Sequence, residues 1–325
     1  MIVLLIFLVL FLAVVGIAYG CYRKAFYNPR VKTDPERIDI PEGEIYEPFR
    51  ELMTGWVRWT RTLPCEKVEI TSHDGLRLVG KYYEYAPGAP IELMFHGYRG
   101  NAERDLSGGV ARCFALGRSV LMVDQRCCGE SEGKTITFGI YEHLDCLRWA
   151  DFAAKKFPDC KIILTGVSMG ASTVLMAAGR ELPKNVVGVL ADCGYTSARE
   201  IMYEVIKQMG LPPKISYPFV KLGAKLFGHF DPDSGSAIEA ARKIRVPVIF
   251  YHGTADDFVP CAMSEKLYAA CKCRKRLVKV PNAGHGLAFP VDQEMYLQTL
   301  KEFFEKELGD NYGIAKTQTE SVGRI

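Results

Sequence analysis

Ser168 stands between two glycines in Gly166-Val167-Ser168-Met169-Gly170. This pentapeptide follows the apolar run Ile162 to Leu164 and leads into a helical stretch near Ala171. A strand, a tight turn and a helix in that order hold a serine hydroxyl out at a helix N-terminus. The glycines let the backbone bend sharply and let strand and helix approach closely. A serine hydroxyl is a poor nucleophile near neutral pH and needs a base. His285 is the best placed of the six histidines, in the loop Asn282-Ala283-Gly284-His285-Gly286 between the last apolar run and the final helical stretch. His96 and His252 each precede a glycine at a strand end and read as loop-shaping residues, and His73, His143 and His229 as surface or packing residues. The base needs an anion that fixes its tautomer. In His252-Gly253-Thr254-Ala255-Asp256-Asp257-Phe258-Val259-Pro260, Asp256 has the better register, with Asp257 as the alternative. A tetrahedral oxyanion needs preorganised donors. The N–H of Met169, directly after the serine, supplies one, and Tyr98 in His96-Gly97-Tyr98-Arg99-Gly100 supplies the second. These residues spell acyl transfer through an acyl-enzyme, and they run Ser168, Asp256, His285 along the chain, unlike the two familiar protease orders.

The elements that must position them alternate between β and α signals. Val68 to Ile70 and Leu76 to Tyr85, joined around His73-Asp74-Gly75, read as an antiparallel hairpin. Short, largely apolar runs without strict alternation follow at Ile91 to Phe95, Ser119 to Val123, Lys161 to Thr165, Val186 to Ala191, Pro247 to Tyr251 and Arg276 to Val280. Runs of that kind suit strands covered on both faces. The clearest helical stretches between them are Tyr141 to Phe157, Ala171 to Glu181, Met263 to Cys271 and Asp292 to Leu308. The spacing predicts an α/β fold with a mostly parallel sheet of about eight strands and helices on both faces. Residues 198–235 hold two helical patterns broken by Pro212-Pro213 and Pro218, where one crossover helix would suffice. They are read as a small helical lid over the carboxyl ends of the strands, with Leu211, Ile215, Tyr217, Phe219, Val220, Leu222, Leu226 and Phe227 available to line an acyl pocket.

The chain's first residues are a different material. From Ile2 to Gly20 no residue is charged, and the run approaches the ~30 Å of a bilayer core. No Lys or Arg precedes it, which favours a transmembrane anchor over residues 1–22 above a cleaved signal peptide. Arg23, Lys24, Arg30 and Lys32 follow the run and place the folded domain on the cytoplasmic side. Residues 23–64 form a connector whose Phe49, Leu52, Met53, Trp56, Val57 and Leu63 fall near helical spacing, an amphipathic helix that docks on the core or lies on the bilayer through Trp59 and its arginines. The catalytic unit then spans 65–308, and a polar tail expected to be mobile closes the chain at 309–325. With 41 basic and 38 acidic residues scattered along 325, no basic run offers a surface to nucleic acid. The eleven cysteines are odd in number and irregularly spaced, which fits reduced thiols. Neither Cys127-Cys128 nor Cys271 and Cys273 has the partners a structural metal would need, and no cofactor is called for.

From about Cys65 to Leu308 the chain resembles the α/β-hydrolase superfamily, and most of all its BEM46-like branch, which overlaps the serine aminopeptidase-like hydrolases. The resemblance rests on Thr71 to Leu78, His96 to Gly100, Asp124-Gln125-Arg126 before Gly129, the Ser168 turn, His252 to Pro260, and Gly284 to Gly286. Related sequences often read Asp-x-Arg-Gly-x-Gly after the fourth strand, where this chain has Cys127 and Cys128 before Gly129. The resemblance implies a serine esterase or lipase-like hydrolase, with peptidase activity within its range and a small acyl substrate, lipid-derived if the membrane tether is a guide. Two other readings keep the fold: an acyltransferase with the same three side chains, and a catalytically silent binding protein.

Overall fold

The computed structural model describes residues 1–29 and 36–308. The tail at 309–325 and the basic residues Arg30 and Lys32 lie outside the described residues. Helix α1 (Ile2–Ala25) is followed by a 3-10 helix (Glu44–Phe49) and α2 (Arg50–Thr62). Strands β1 (Glu66–Thr71), β2 (Arg77–Tyr83) and β3 (Ile91–Phe95) come next, then α3 (Ala102–Ala115), β4 (Ser119–Val123), α4 (Glu142–Lys156), β5 (Ile162–Val167) and α5 (Met169–Ala178). After β6 (Val186–Asp192) come α6 (Ala198–Gln208), α7 (Pro213–Gly228) and α8 (Ala237–Ala241). The chain continues through β7 (Val248–Gly253), α9 (Cys261–Ala270), β8 (Lys275–Val280), α10 (Ala288–Val291) and α11 (Gln293–Leu308).

The eight strands form one sheet in the order β1-β2-β4-β3-β5-β6-β7-β8. β2 pairs antiparallel with β1 and β4, and all other pairs are parallel. Every residue of β3 and β4 is buried, as suits strands covered on both faces, and the one charge among them, Glu92, is paired with Arg112 and Arg118. The sheet reverses its build direction between β3 and β5, and a reversal of that kind opens a crevice at the carboxyl ends of the strands.

Helix α3 is missing from the clearest helical signals in the sequence, because Gly108 and Gly109 at its centre weaken its intrinsic preference. Packing explains them. A Cβ on Gly108 would lie 2.6 Å from the Trp56 ring, so α2 docks against α3 through that glycine. Met53 and Val57 of α2 are buried in the cluster that holds Phe289 and Tyr296, Trp56 stacks on Phe289, and Trp59 meets Phe114 edge-on. The apolar stripe of the connector therefore faces protein, and Trp59 is occupied by Phe114.

In the insertion, Pro212 caps α7 and Pro213 opens it, where proline's fixed φ suits a helix start. Pro218 was expected to break the helix and does not. It is exposed, and what it forfeits is a single hydrogen bond, to the carbonyl of Lys214. The carboxyl-terminal third of α1 docks on this insertion. Ala18 and Phe26 are fully buried, and Phe26 meets Phe230 edge-on with ring centroids 5.1 Å apart.

Candidate active site

β5 delivers Ser168 at its carboxyl end. The serine sits at φ +56° as the residue before α5, a backbone strain that the surroundings enforce. A Cβ on Gly166 would fall 2.2 Å from the Gly170 backbone, and one on Gly170 would fall 2.1 Å from the Phe95 carbonyl oxygen. Both positions must be glycine for the turn to close against α5 and β3. Ser168 is further pinned by its N–H, which donates to the Asp192 carbonyl at the end of β6.

His285, on the loop between β8 and α10, places Nε2 2.9 Å from Ser168 Oγ. Its Nδ1 lies 2.8 Å from Asp256 Oδ2. Asp256 follows β7 and its Oδ1 accepts from the N–H groups of Phe258 and Val259. Burial disfavours the charged form of this carboxyl, but hydrogen bonds from His252 and His285, the facing imidazole charge and the Val259 N–H outweigh it and hold Asp256 down at about 2. Asp257 is exposed, and its carbonyl accepts from Gln208 of the insertion, so of the two aspartates it is Asp256 that meets the imidazole.

The loop after β3 carries Tyr98 beside the serine. His96 is wholly buried and donates from Nδ1 to the Gly97 carbonyl, while its Nε2 accepts from Gln125. His252 bonds Ser264 and the Val259 carbonyl, and its Nε2 stands 3.2 Å from Asp256 Oδ2. Both histidines shape loops, and His252 also steadies the carboxylate. Met169 opens α5, where its N–H has no acceptor within the helix. The Tyr98 hydroxyl does not face the serine; it donates to the Ala25 carbonyl at the end of α1.

A cavity of about 240 Å³ borders Ser168, His285 and Tyr98. Its walls correct the sequence reading. None of Leu211, Ile215, Tyr217, Phe219, Val220, Leu222, Leu226 and Phe227 lines it, because the insertion folds toward α1 instead. The connector covers the cavity, through Pro41, Tyr46, Met53 and Trp56. Tyr46 also donates its hydroxyl to the His285 carbonyl, and Phe258 packs edge-on against the imidazole at 5.1 Å. Asp105 was not singled out in the sequence; it accepts from the Gly97 N–H and fixes the Tyr98 loop. No local pattern marks Tyr46 or Asp105, since each acts through a contact that only the folded chain creates.

The vicinal thiols are core residues. Cys127 and Cys128 are buried, neither lines the cavity, and burial pushes the Cys127 thiol up to about 12 and Cys128 well above its usual range. All eleven cysteines are free thiols.

Comparison with known proteins gives a consistent picture. Residues 93–215 match a family model described as the alpha/beta hydrolase fold. The protein YqkD of Bacillus subtilis is 30% identical over 192 residues, covering 58% of this chain and 63% of YqkD, so the match spans just under two thirds of that relative. The bem46 protein of Schizosaccharomyces pombe is 23% identical over 288 residues, 85% of each chain. Among solved structures, the Pyrococcus furiosus esterase PF2001 superposes with a TM-score of 0.66 at 22% identity, over 87% of this chain and 99% of that one. At that identity the likeness speaks for the fold.

Proposed function

The chain belongs to the α/β-hydrolase superfamily, in its BEM46-like branch, and from there we propose that it is a membrane-anchored serine hydrolase cleaving a carboxylic ester or related acyl bond. The observation that carries the reading is the unbroken run of hydrogen bonds from Ser168 Oγ through His285 to Asp256 at the wall of a cavity. Ser168 Oγ attacks the acyl carbon as His285 Nε2 takes its proton, and the ionised Asp256 stabilises the resulting imidazolium. The N–H groups of Met169 and Tyr98 receive the developing oxyanion. His285 then protonates the leaving group, and a water activated by the same nitrogen resolves the acyl-enzyme.

The cavity lies below the ~300–1,000 Å³ common for ligand pockets, which supports a short acyl group. Helix α1 supplies the anchor, being long and apolar enough to cross a bilayer, and Arg23 and Lys24 in its last turn favour a cytoplasmic catalytic domain. A membrane tether directs the enzyme to lipid-derived or membrane-associated acyl substrates.

The test is fluorophosphonate labelling of membranes carrying the wild type or Ser168→Ala, followed by a panel of esters graded in acyl length. Labelling and turnover are expected in the wild type and lost in Ser168→Ala. Turnover at the wild-type rate in the variant would remove Ser168 from the mechanism.

A further inference from the structure

The stretch of α1 that stands clear of the domain is shorter than a bilayer core is thick. Residues 2–14 are exposed, Val15 is half-buried, and Ala18 is fully covered by α7. The sixteen residues from Ile2 to Ile17 rise about 24 Å at ~1.5 Å each, against a hydrocarbon core of ~30 Å. The far face of α1 stays open beyond that point, where Gly20 is exposed. For α1 to span, the part of the domain beside it must sit at membrane depth.

That part is the insertion, and its direction is fixed by three contacts. The Ala18 carbonyl lies against Gly223, Tyr22 packs on Phe227, and Phe26 packs on Phe230. The pairs advance together along both segments, so α1 and α7 run parallel. Pro213 precedes Gly223 by ten residues, and α7 therefore extends about 15 Å along its own axis toward the end of α1 that enters the bilayer. The turn between α6 and α7 is the tip of this projection. It carries Met209 at 47%, Leu211 at 46% and Ile215 at 66% exposure. From Val205 to Phe230 the chain has no acidic residue, and Lys207 and Lys214 flank the tip, both exposed.

We propose that the α6–α7 turn is a second membrane contact, in which Met209, Leu211 and Ile215 enter the hydrocarbon boundary beside α1 while Lys207 and Lys214 meet the phosphates of anionic lipids. The proposal rests on the reading of α1 as an anchor. Long apolar side chains next to lysines that can bury their stems and keep their heads wet suit the boundary between acyl chains and headgroups. The insertion thus meets lipid with the apolar residues that leave the cavity unlined, and Gln208 at the same turn holds the Asp257 carbonyl of the loop that carries Asp256.

The experiment uses the full chain in vesicles of phosphatidylcholine and phosphatidylglycerol with brominated acyl chains. Ile215→Trp and Leu211→Trp each add an indole at an exposed position, where folding is little disturbed. Tyr85→Trp is the control. Tyr85 follows β2, which runs antiparallel to β4, and so lies at the end of the sheet opposite the Tyr98 loop and α1. The emission added by Ile215→Trp and Leu211→Trp should be largely lost to bromine, and that added by Tyr85→Trp retained. Alkaline washing of the same vesicles reports on the anchor. Unquenched indoles at 211 and 215 in a chain that resists the wash overturn the proposal and leave the anchor standing. Release by the wash overturns the anchor, and the proposal with it.

Discussion

At the scale of single residues, the site depends on a carboxylate that stays charged. Asp256 is largely buried, and its hydrogen bonds to His252, His285 and the Val259 N–H hold it at about 2. Its folded value lies below the ~3.9 of an unfolded aspartate, so its contribution to stability is present above about pH 4 and is lost as the pH falls through about 2. Asp256→Asn should lower the unfolding free energy at neutral pH by about 2 kcal/mol, a gap that closes on acidification. Denaturant titrations of both proteins in detergent at several pH values measure it, and a gap that persists at pH 2 would contradict the assignment. The same substitution should cut turnover by ~10⁴, since the imidazole loses the anion that sets its tautomer. Ser168, His285 and Asp256 were legible in the sequence because each follows a strand-like run in a loop of recognisable composition. Tyr46 and Asp105 were not, because a hydroxyl reaching the His285 carbonyl from 239 positions away leaves no local trace.

At the scale of elements, the connector holds the unexpected role. Trp56 is seated on Phe289 and on the gap left by Gly108, and with Met53 it roofs the cavity. Trp56→Ala should therefore enlarge the pocket and raise kcat/KM for longer acyl esters over acetyl by roughly tenfold. An ester panel reads this directly, and an unchanged length preference would show that acyl chains leave the cavity by another wall. The strands were readable, β3 and β4 to the residue, because strands buried on both faces are mostly apolar, Glu92 being the paired exception. α3 was faint because packing, and not propensity, keeps Gly108 and Gly109 helical. The insertion was visible as two helices, but its destination was not. Its apolar side chains look alike whether they face a pocket, a helix or lipid.

At the scale of the whole molecule, α1 divides at Ala18 into a free portion and a docked one. A chain starting at Ala18 should keep the fold and its turnover of water-soluble esters. A chain starting at Tyr27 loses Phe26, which packs on Phe138 and Phe230, and should lose about 3–5 kcal/mol of stability. Thermal unfolding of the two distinguishes them, and equal midpoints would mean that α1 is a passive tether. The docked portion ends on the Tyr98 loop: the carbonyls of Lys24 and Ala25 accept from Arg99 and Tyr98. A helix whose apolar length mismatches its host tilts, and this one is fastened at its base to the segment proposed to cradle the oxyanion. Turnover of one and the same soluble ester should then vary with the thickness of the surrounding leaflets in the full-length protein and not in the chain starting at Ala18, which would make the enzyme a gauge of its own membrane.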